Sequence, residues 1–162
     1  IMSTGICTQE LHLDPCDYLN DFISQCFMCS AACHVAGDIR AIELLERDYQ
    51  VQLARLAQVK LDGRLVNSLA MQKWFVIHSR NTHVLASLLD FMKTQPLGSV
   101  IRYSANKSEF HITDANVRKA GRVPLLIPNF ENELVGLLEQ RSAKVEPSDN
   151  PGLSSLLQMF GI

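Results

Sequence analysis

No apolar run in these 162 residues approaches the roughly 18 that a membrane-crossing helix needs; the longest candidates, such as 74–78, are short. No Lys or Arg precedes Arg40, so the basic start of a secretory signal is missing. A nucleophile elbow, a phosphate-binding glycine loop and a His-Glu-x2-His pattern are all wanting, and no residue advertises catalysis. Lys and Arg form no contiguous run, which argues against a simple electrostatic arm. There is no internal repeat. These gaps lead us to expect a soluble, cytoplasmic protein without a membrane partner, and a regulator or adaptor rather than an enzyme. What is present is ordinary: 47% hydrophobic and 20% charged residues, which excludes a disordered, collagen-like or disulfide-scaffold chain. The length suits one domain.

The net charge of −2 conceals an uneven distribution. Residues 1–38 hold five acids (Glu10, Asp14, Asp17, Asp21, Asp38) and no base. Residues 39–128 carry a net +6, including Arg102, Lys107, Arg118, Lys119 and Arg122, and residues 129–162 return to −3. A basic middle between acidic ends suits a polyanion-binding surface; charge pairing within the fold is the competing reading.

Asp14-Pro15 reads as an N-cap and first helical residue, opening a helix over 14–35 that Gly37 stops. Asp38 caps a second helix over 39–60, with Ile42, Leu45, Tyr49, Leu53 and Leu56 as its apolar stripe. The two are expected to pack as an N-terminal helical hairpin. Asp62-Gly63 marks a turn. Asn67 or Ser68 would cap a helix to about residue 79, and Asn81 or Thr82 another to about 93; a single helix over 67–93 is the alternative.

After Gly98 the hydrophobic period changes to 2. Segments 99–105 and 108–113 read as a hairpin turning at Asn106-Lys107, in the register that sets Tyr103 against Phe110, Ile101 against Ile112, Arg102 against His111 and Ser104 against Glu109. That register leaves one face apolar and the other polar. A helical turn over 114–120 is expected, then an edge strand over 122–127 limited by Pro124, then a helix over 129–142 capped by Asn129. The expected fold class is therefore α+β, predominantly helical: a domain over 1–142 with an N-terminal helical hairpin, a small antiparallel sheet (hairpin 99–113 plus edge strand 122–127) and a C-terminal helix. Residues 143–152 read as a linker and 153–162 as a short apolar tail.

All five cysteines fall within the first 33 residues, and an odd count without a signal peptide suggests reduced thiols. Cys26, Cys29, Cys33 and His34 are soft ligand types that suit zinc. Their spacings of three and four are also helix spacings, so buried thiols of one apolar face are the favoured reading and no cofactor is expected. A metal reading needs Cys7, Cys16 or His12 as well, and only a folded-back N-terminal segment would bring them there.

Residues 64–113 follow the order helix, turn, helix, hairpin, as in a winged helix. On that reading Arg80, Asn81, Thr82 and His83 would face bases, while Arg102, Lys107 and Arg118 would meet phosphates of duplex DNA. The ordinary alternative is a helical layer on a small sheet. In the tail, Leu153, Leu156, Leu157 and Phe160 share one face of two helical turns, which suits docking on a protein partner or a second copy in a homo-oligomer. The readings carried forward are a DNA-binding accessory protein, a protein-protein adaptor, and a metal-binding Cys/His sensor or enzyme.

Overall fold

The computed structural model describes residues 4–8, 16 and 25–144. These form three α-helices and a five-stranded antiparallel sheet, an α+β arrangement. Strands β1 (Ile6–Cys7), β2 (Ala32–Val35), β3 (Val100–Ser104), β4 (Glu109–Asp114) and β5 (Lys119–Pro124) lie side by side in chain order. Helices α1 (Ile39–Leu61) and α2 (Leu69–Thr94) are inserted between β2 and β3, and α3 (Phe130–Lys144) follows the sheet. No helix among the described residues is long and apolar enough to cross a membrane.

Strand alternation sends Ile101, Tyr103, Phe110 and Ile112 to one face, where they pack with Val84, Leu85, Leu88, Leu89 and Met92 of α2 and Ala41 and Leu45 of α1. Five of these side chains, Ile101, Phe110, Val84, Leu88 and Met92, are completely buried. A second apolar cluster, centred on Leu56, Leu65 and Phe75, joins the far ends of α1 and α2 to Leu134, Leu137 and Leu138 of α3. Arg141 ties the same corner by donating to the carbonyls of Lys60 and Asp62.

The β3–β4 register agrees pair by pair with the sequence expectation, including Tyr103 against Phe110 and Arg102 against His111. The turn differs. Ser104 and Glu109 close the ladder, so the loop has four residues, and the positive φ of 48° falls on Ser108 rather than on Asn106 or Lys107. The β4–β5 turn repeats the design, with Ala-Asn first and a positive φ on Arg118. Its second residue is held by the Asp114 carboxylate, which accepts from the Asn116 amide. The expected helical turn over 114–120 is therefore a hairpin, and the third strand starts at Lys119 instead of residue 122.

Two further expectations are corrected. The helix over 14–35 is not formed where the chain is described: Gln25–Met28 is one 3-10 turn and Ala32–Val35 is a strand, so there is no N-terminal helical hairpin ending at Gly37. Sheet pairing on both sides of Ala32–Val35 outweighs the helical spacing of its apolar residues. Likewise the chain runs unbroken from Leu69 to Thr94 as one helix, the alternative at 67–93, rather than breaking at Arg80-Asn81. Thr82, read as a cap, instead donates its hydroxyl to the His78 carbonyl one turn back. The caps at Asp38 and Ser68 do form, accepting from the amides of Ala41 and Met71.

Between β2 and α1 the chain turns at Gly37, whose φ is +81° and whose amide donates to the Met92 carbonyl at 2.9 Å. A Cβ here would land on the Leu97 side chain. Gly37→Ala should therefore destabilise the fold by on the order of 1–3 kcal/mol, and adding Leu97→Ala should restore only part, because the backbone strain remains. Urea midpoints of the single and double variants check this; an unchanged midpoint in Gly37→Ala would show the turn to be undemanding.

Candidate functional site

The face of the sheet turned away from α1 and α2 is exposed at Arg102, at Thr113 and along β5. Its middle row is read from the pairings Arg102–His111 and His111–Arg122, which set two guanidiniums on either side of an imidazole across β3, β4 and β5. With strands about 4.8 Å apart, the Cα atoms of Arg102 and Arg122 are separated by about 10 Å. Both arginines are exposed. Neither meets a carboxylate among the described residues, whereas His111 Nε2 stands 3.1 Å from Glu109 Oε1. Like charges gathered on neighbouring strands weaken a sheet unless a counter-charge is supplied. Exposed Lys107 lies in the β3–β4 turn, and Arg118 and Lys119 lie at the β4–β5 turn, at the other end of the sheet. Cations thus run both across the face and along it.

The sequence reading named Arg102, Lys107 and Arg118 of this set but not Arg122 or His111. The alternation pattern carried the missing signal, since Arg102 already faces His111 in the expected register. Only the start of β5, displaced by the misread turn, hid Arg122.

The base-reading group is not assembled. Arg80 is exposed on α2 and lines a cleft of about 400 Å³ with Ser108, Ile127, Phe130 and Glu131. Asn81 and Thr82 are buried, at 9% and 5% exposure. The ring of His83 is held by the Leu126 carbonyl, 3.0 Å from Nε2, with its edge toward Phe130. With α2 continuous and these side chains engaged, no helix-turn-helix presents them to a groove.

The thiol candidates are redistributed. Cys33 lies in β2 opposite Ile6, while Cys26 and Cys29 belong to the tight turn before that strand. His34, adjacent in the strand and therefore facing the opposite way from Cys33, is 1% exposed, and its Nδ1 is 2.9 Å from the Thr4 carbonyl. Its Nε2 has no hydrogen-bond partner among the described residues. Burial pushes the His34 pKa below the usual range, against the pull of the Thr4 and Cys26 backbones. Cys7 is brought back by β1 pairing with β2, and none of the five cysteines is joined to another in a disulfide. Burial pushes the Cys26 thiol up, and its neighbours Cys16, Cys29 and Cys7 push it further. Among the described residues no three His, Cys, Asp or Glu side chains stand arrayed around a common metal position. The docking residues Leu153, Leu156, Leu157 and Phe160 lie outside the described residues.

No protein-family model, curated protein or solved structure matches the chain. The functional reading accordingly rests on this geometry.

One consequence concerns acid stability. His78 is 8% exposed and stacks on Trp74 at 3.9 Å; burial first, then Arg55, lowers its pKa from 6.5. The unfolded chain therefore binds a proton that the folded chain refuses, and stability falls as pH drops below about 6.5. His78→Gln should narrow the difference between urea midpoints measured at about pH 7.5 and about pH 5.5. An undiminished difference would assign the pH dependence elsewhere.

Proposed function

We propose that the protein is a DNA-associated accessory protein whose open sheet face, rather than a recognition helix, meets the phosphate backbone of duplex DNA. The observation that carries this reading is the Arg102–His111–Arg122 row, two exposed guanidiniums flanking an imidazole, with no carboxylate on either arginine among the described residues. Guanidiniums suit phosphate because their forked donors engage two oxygens at once. The turn cations Lys107 and Arg118 extend the footprint toward both ends of the face, while Lys119, next to Ala120 in β5, alternates to the other side.

The character of the face also favours one mode of binding. Among the described residues of β3, β4 and β5 it carries no Phe, Tyr or Trp on which a base could stack, a feature that single-strand binders rely on. Besides Glu109 and the basic residues, its β3–β5 positions include the short Ser104, Thr113 and Ala120, and no Asn or Gln among these strand residues could grip adenine. Contacts limited to the backbone position a protein on DNA without reading sequence. Weak sequence preference and strong salt dependence follow.

A second reading, a protein-protein adaptor, draws on a groove of about 310 Å³ between α2 and α3. Leu69, Val76, Ile77 and Leu134 line it, and Leu69 and Ile77 are 65% and 54% exposed. Apolar surface of that kind suits a helical partner.

Fluorescence anisotropy on a short mixed-sequence duplex tests the first reading. Affinity should fall steeply between about 50 and 200 mM salt, and the log–log slope should become shallower by about 2 in Arg102→Ala/Arg122→Ala. Both side chains are exposed, so the variant should melt like the parent. No binding at about 50 mM salt, or an unchanged slope in the variant, would overturn the reading.

A further inference from the structure

One flank of α2 carries two hollows that join. The first, of about 310 Å³, has Leu69 and Leu134 in its walls, and the second, of about 400 Å³, has Arg80 and Phe130. Both are lined by Val76, Ile77 and Glu131, so they form one groove between α2 and α3. Along α2 the lining falls at positions 69, 72, 73, 76, 77 and 80. That is the three-and-four spacing of a single helix face, about 16 Å long. More than half of Leu69 and of Ile77 is exposed on it. Lys73 and Arg80 are exposed on the same flank, with Glu131 across from them on α3.

The direction of α3 decides which part of the chain lies within reach. Phe130 shares one hollow with Arg80, and Leu134 shares the other with Leu69. Arg141 then donates to the carbonyl of Asp62, seven residues before Leu69. α3 therefore runs antiparallel to α2, and the chain leaves Lys144 beyond the Leu69 end of the groove. From there Leu134 is about 15 Å back along α3. The eight residues 145–152, fully extended, reach about 26 Å. They lead to a segment of matching character. Leu153, Leu156, Leu157 and Phe160 recur at the spacing of one helical face, and residues 153–162 include no Asp, Glu, Lys, Arg or His.

We propose that residues 153–160 of this same chain occupy the α2–α3 groove as two helical turns antiparallel to α3, with their apolar face on Leu69, Val76, Ile77 and Leu134. From Leu153 to Phe160 that face is about 10 Å long, so it fits within the stripe on α2. Two helical turns do not hold their shape alone in water, and the groove supplies the apolar partner that they lack. Tethering favours this occupant over a free peptide, because a short linker raises its effective concentration to the order of millimolar. The linker acids Glu146 and Asp149 pass the end of the groove at which Lys73 offers a counter-charge. The inference is independent of the phosphate-binding reading of the sheet. It shares the groove with the adaptor reading, and makes the tail the segment that any helical partner would have to displace.

Limited chymotrypsin digestion of the whole chain tests the contact. Leu157 and Phe160 are cleavage positions, and a docked segment is cut only while it is out of the groove. Cleavage within 153–160 should be slow in the parent. Ile77→Asp and Leu69→Asp should each speed it by at least about tenfold, because a carboxylate replaces apolar floor beneath the segment. Both native side chains are more than half exposed, so helix content by circular dichroism should not change. The Val135→Asp variant, altered on α3 outside the groove lining, should be cut like the parent. Nuclear Overhauser contacts in the parent give a second measurement. Phe160 ring protons should meet methyl protons of Val76 and Ile77, and a mixture of isotope-labelled and unlabelled chains should show no such contact between chains. Cleavage as fast in the parent as in Ile77→Asp would overturn the proposal. So would absence of the Phe160 contacts, or their appearance only between labelled and unlabelled chains, which would make the groove an interface between copies.

Discussion

A slip of one residue between β3 and β4 would turn Ile101 and Tyr103 toward solvent and drive Arg102 into the layer occupied by Leu88 and Met92 of α2. That register is the constraint on which the remainder of the molecule depends. It sets which face of the sheet receives α2 and where the cationic row falls. It also supplies the template on which β2, β4 and β5 are built. The penalty for the slip is large on both sides, because apolar side chains would lose burial and a guanidinium would enter a region without counter-charge. The alternation is therefore strongly specified, and both hairpin turns have to deliver their strands to it. They do so with four-residue loops that place the left-handed residue last, on Ser108 and Arg118.

Local signals were legible wherever two independent features agreed. The β3–β4 pairing joins an alternation on each strand to a turn between them, and it reads correctly even though the turn has four residues instead of two. The caps at Asp38 and Ser68 are similarly plain, since each side chain accepts from the amide three residues on. Residues 26–35 misled because their apolar spacing satisfies a helix, whereas the deciding partners are β1, from the distant start of the chain, and β3, some sixty residues later. Nothing local reports them. Asn81 and Thr82 misled differently. Both are good caps, but burial within the helical layer and the hydroxyl bond to His78 satisfy Thr82 in mid-helix.

The candidate site was legible as an excess of charge and not as a surface. Sequence alone gives the basic middle, yet Arg80 belongs to that excess and lies in the helical layer, apart from Arg102 and Arg122. Assembling the row required the β4–β5 register, and Arg122 reaches His111 only because β5 begins at Lys119. The thiols follow the same logic. Helical spacing groups Cys33 with Cys26 and Cys29, but Cys33 lies in β2 and the other two in the turn before it, so the shared helical face does not exist.

Charges on a sheet have another use, and it bears on how the face is understood. Edge strands that present unpaired backbone invite association with another sheet, and Lys, Arg and Pro at the edge discourage it. β5 is such an edge, and Lys119, Arg122 and Pro124 fit that protective role without any ligand. The opposite edge is β1, which covers β2. Edge protection accounts less well for Arg102, because β3 is an inner strand, paired along its length with β4 and at Val100 and Ile101 with β2. A guanidinium there, in one row with His111 and Arg122, adds like charge to a face on which it meets no carboxylate among the described residues. The position of Arg102, more than the sum of charges, is therefore what favours the proposed binding face over a guarded edge.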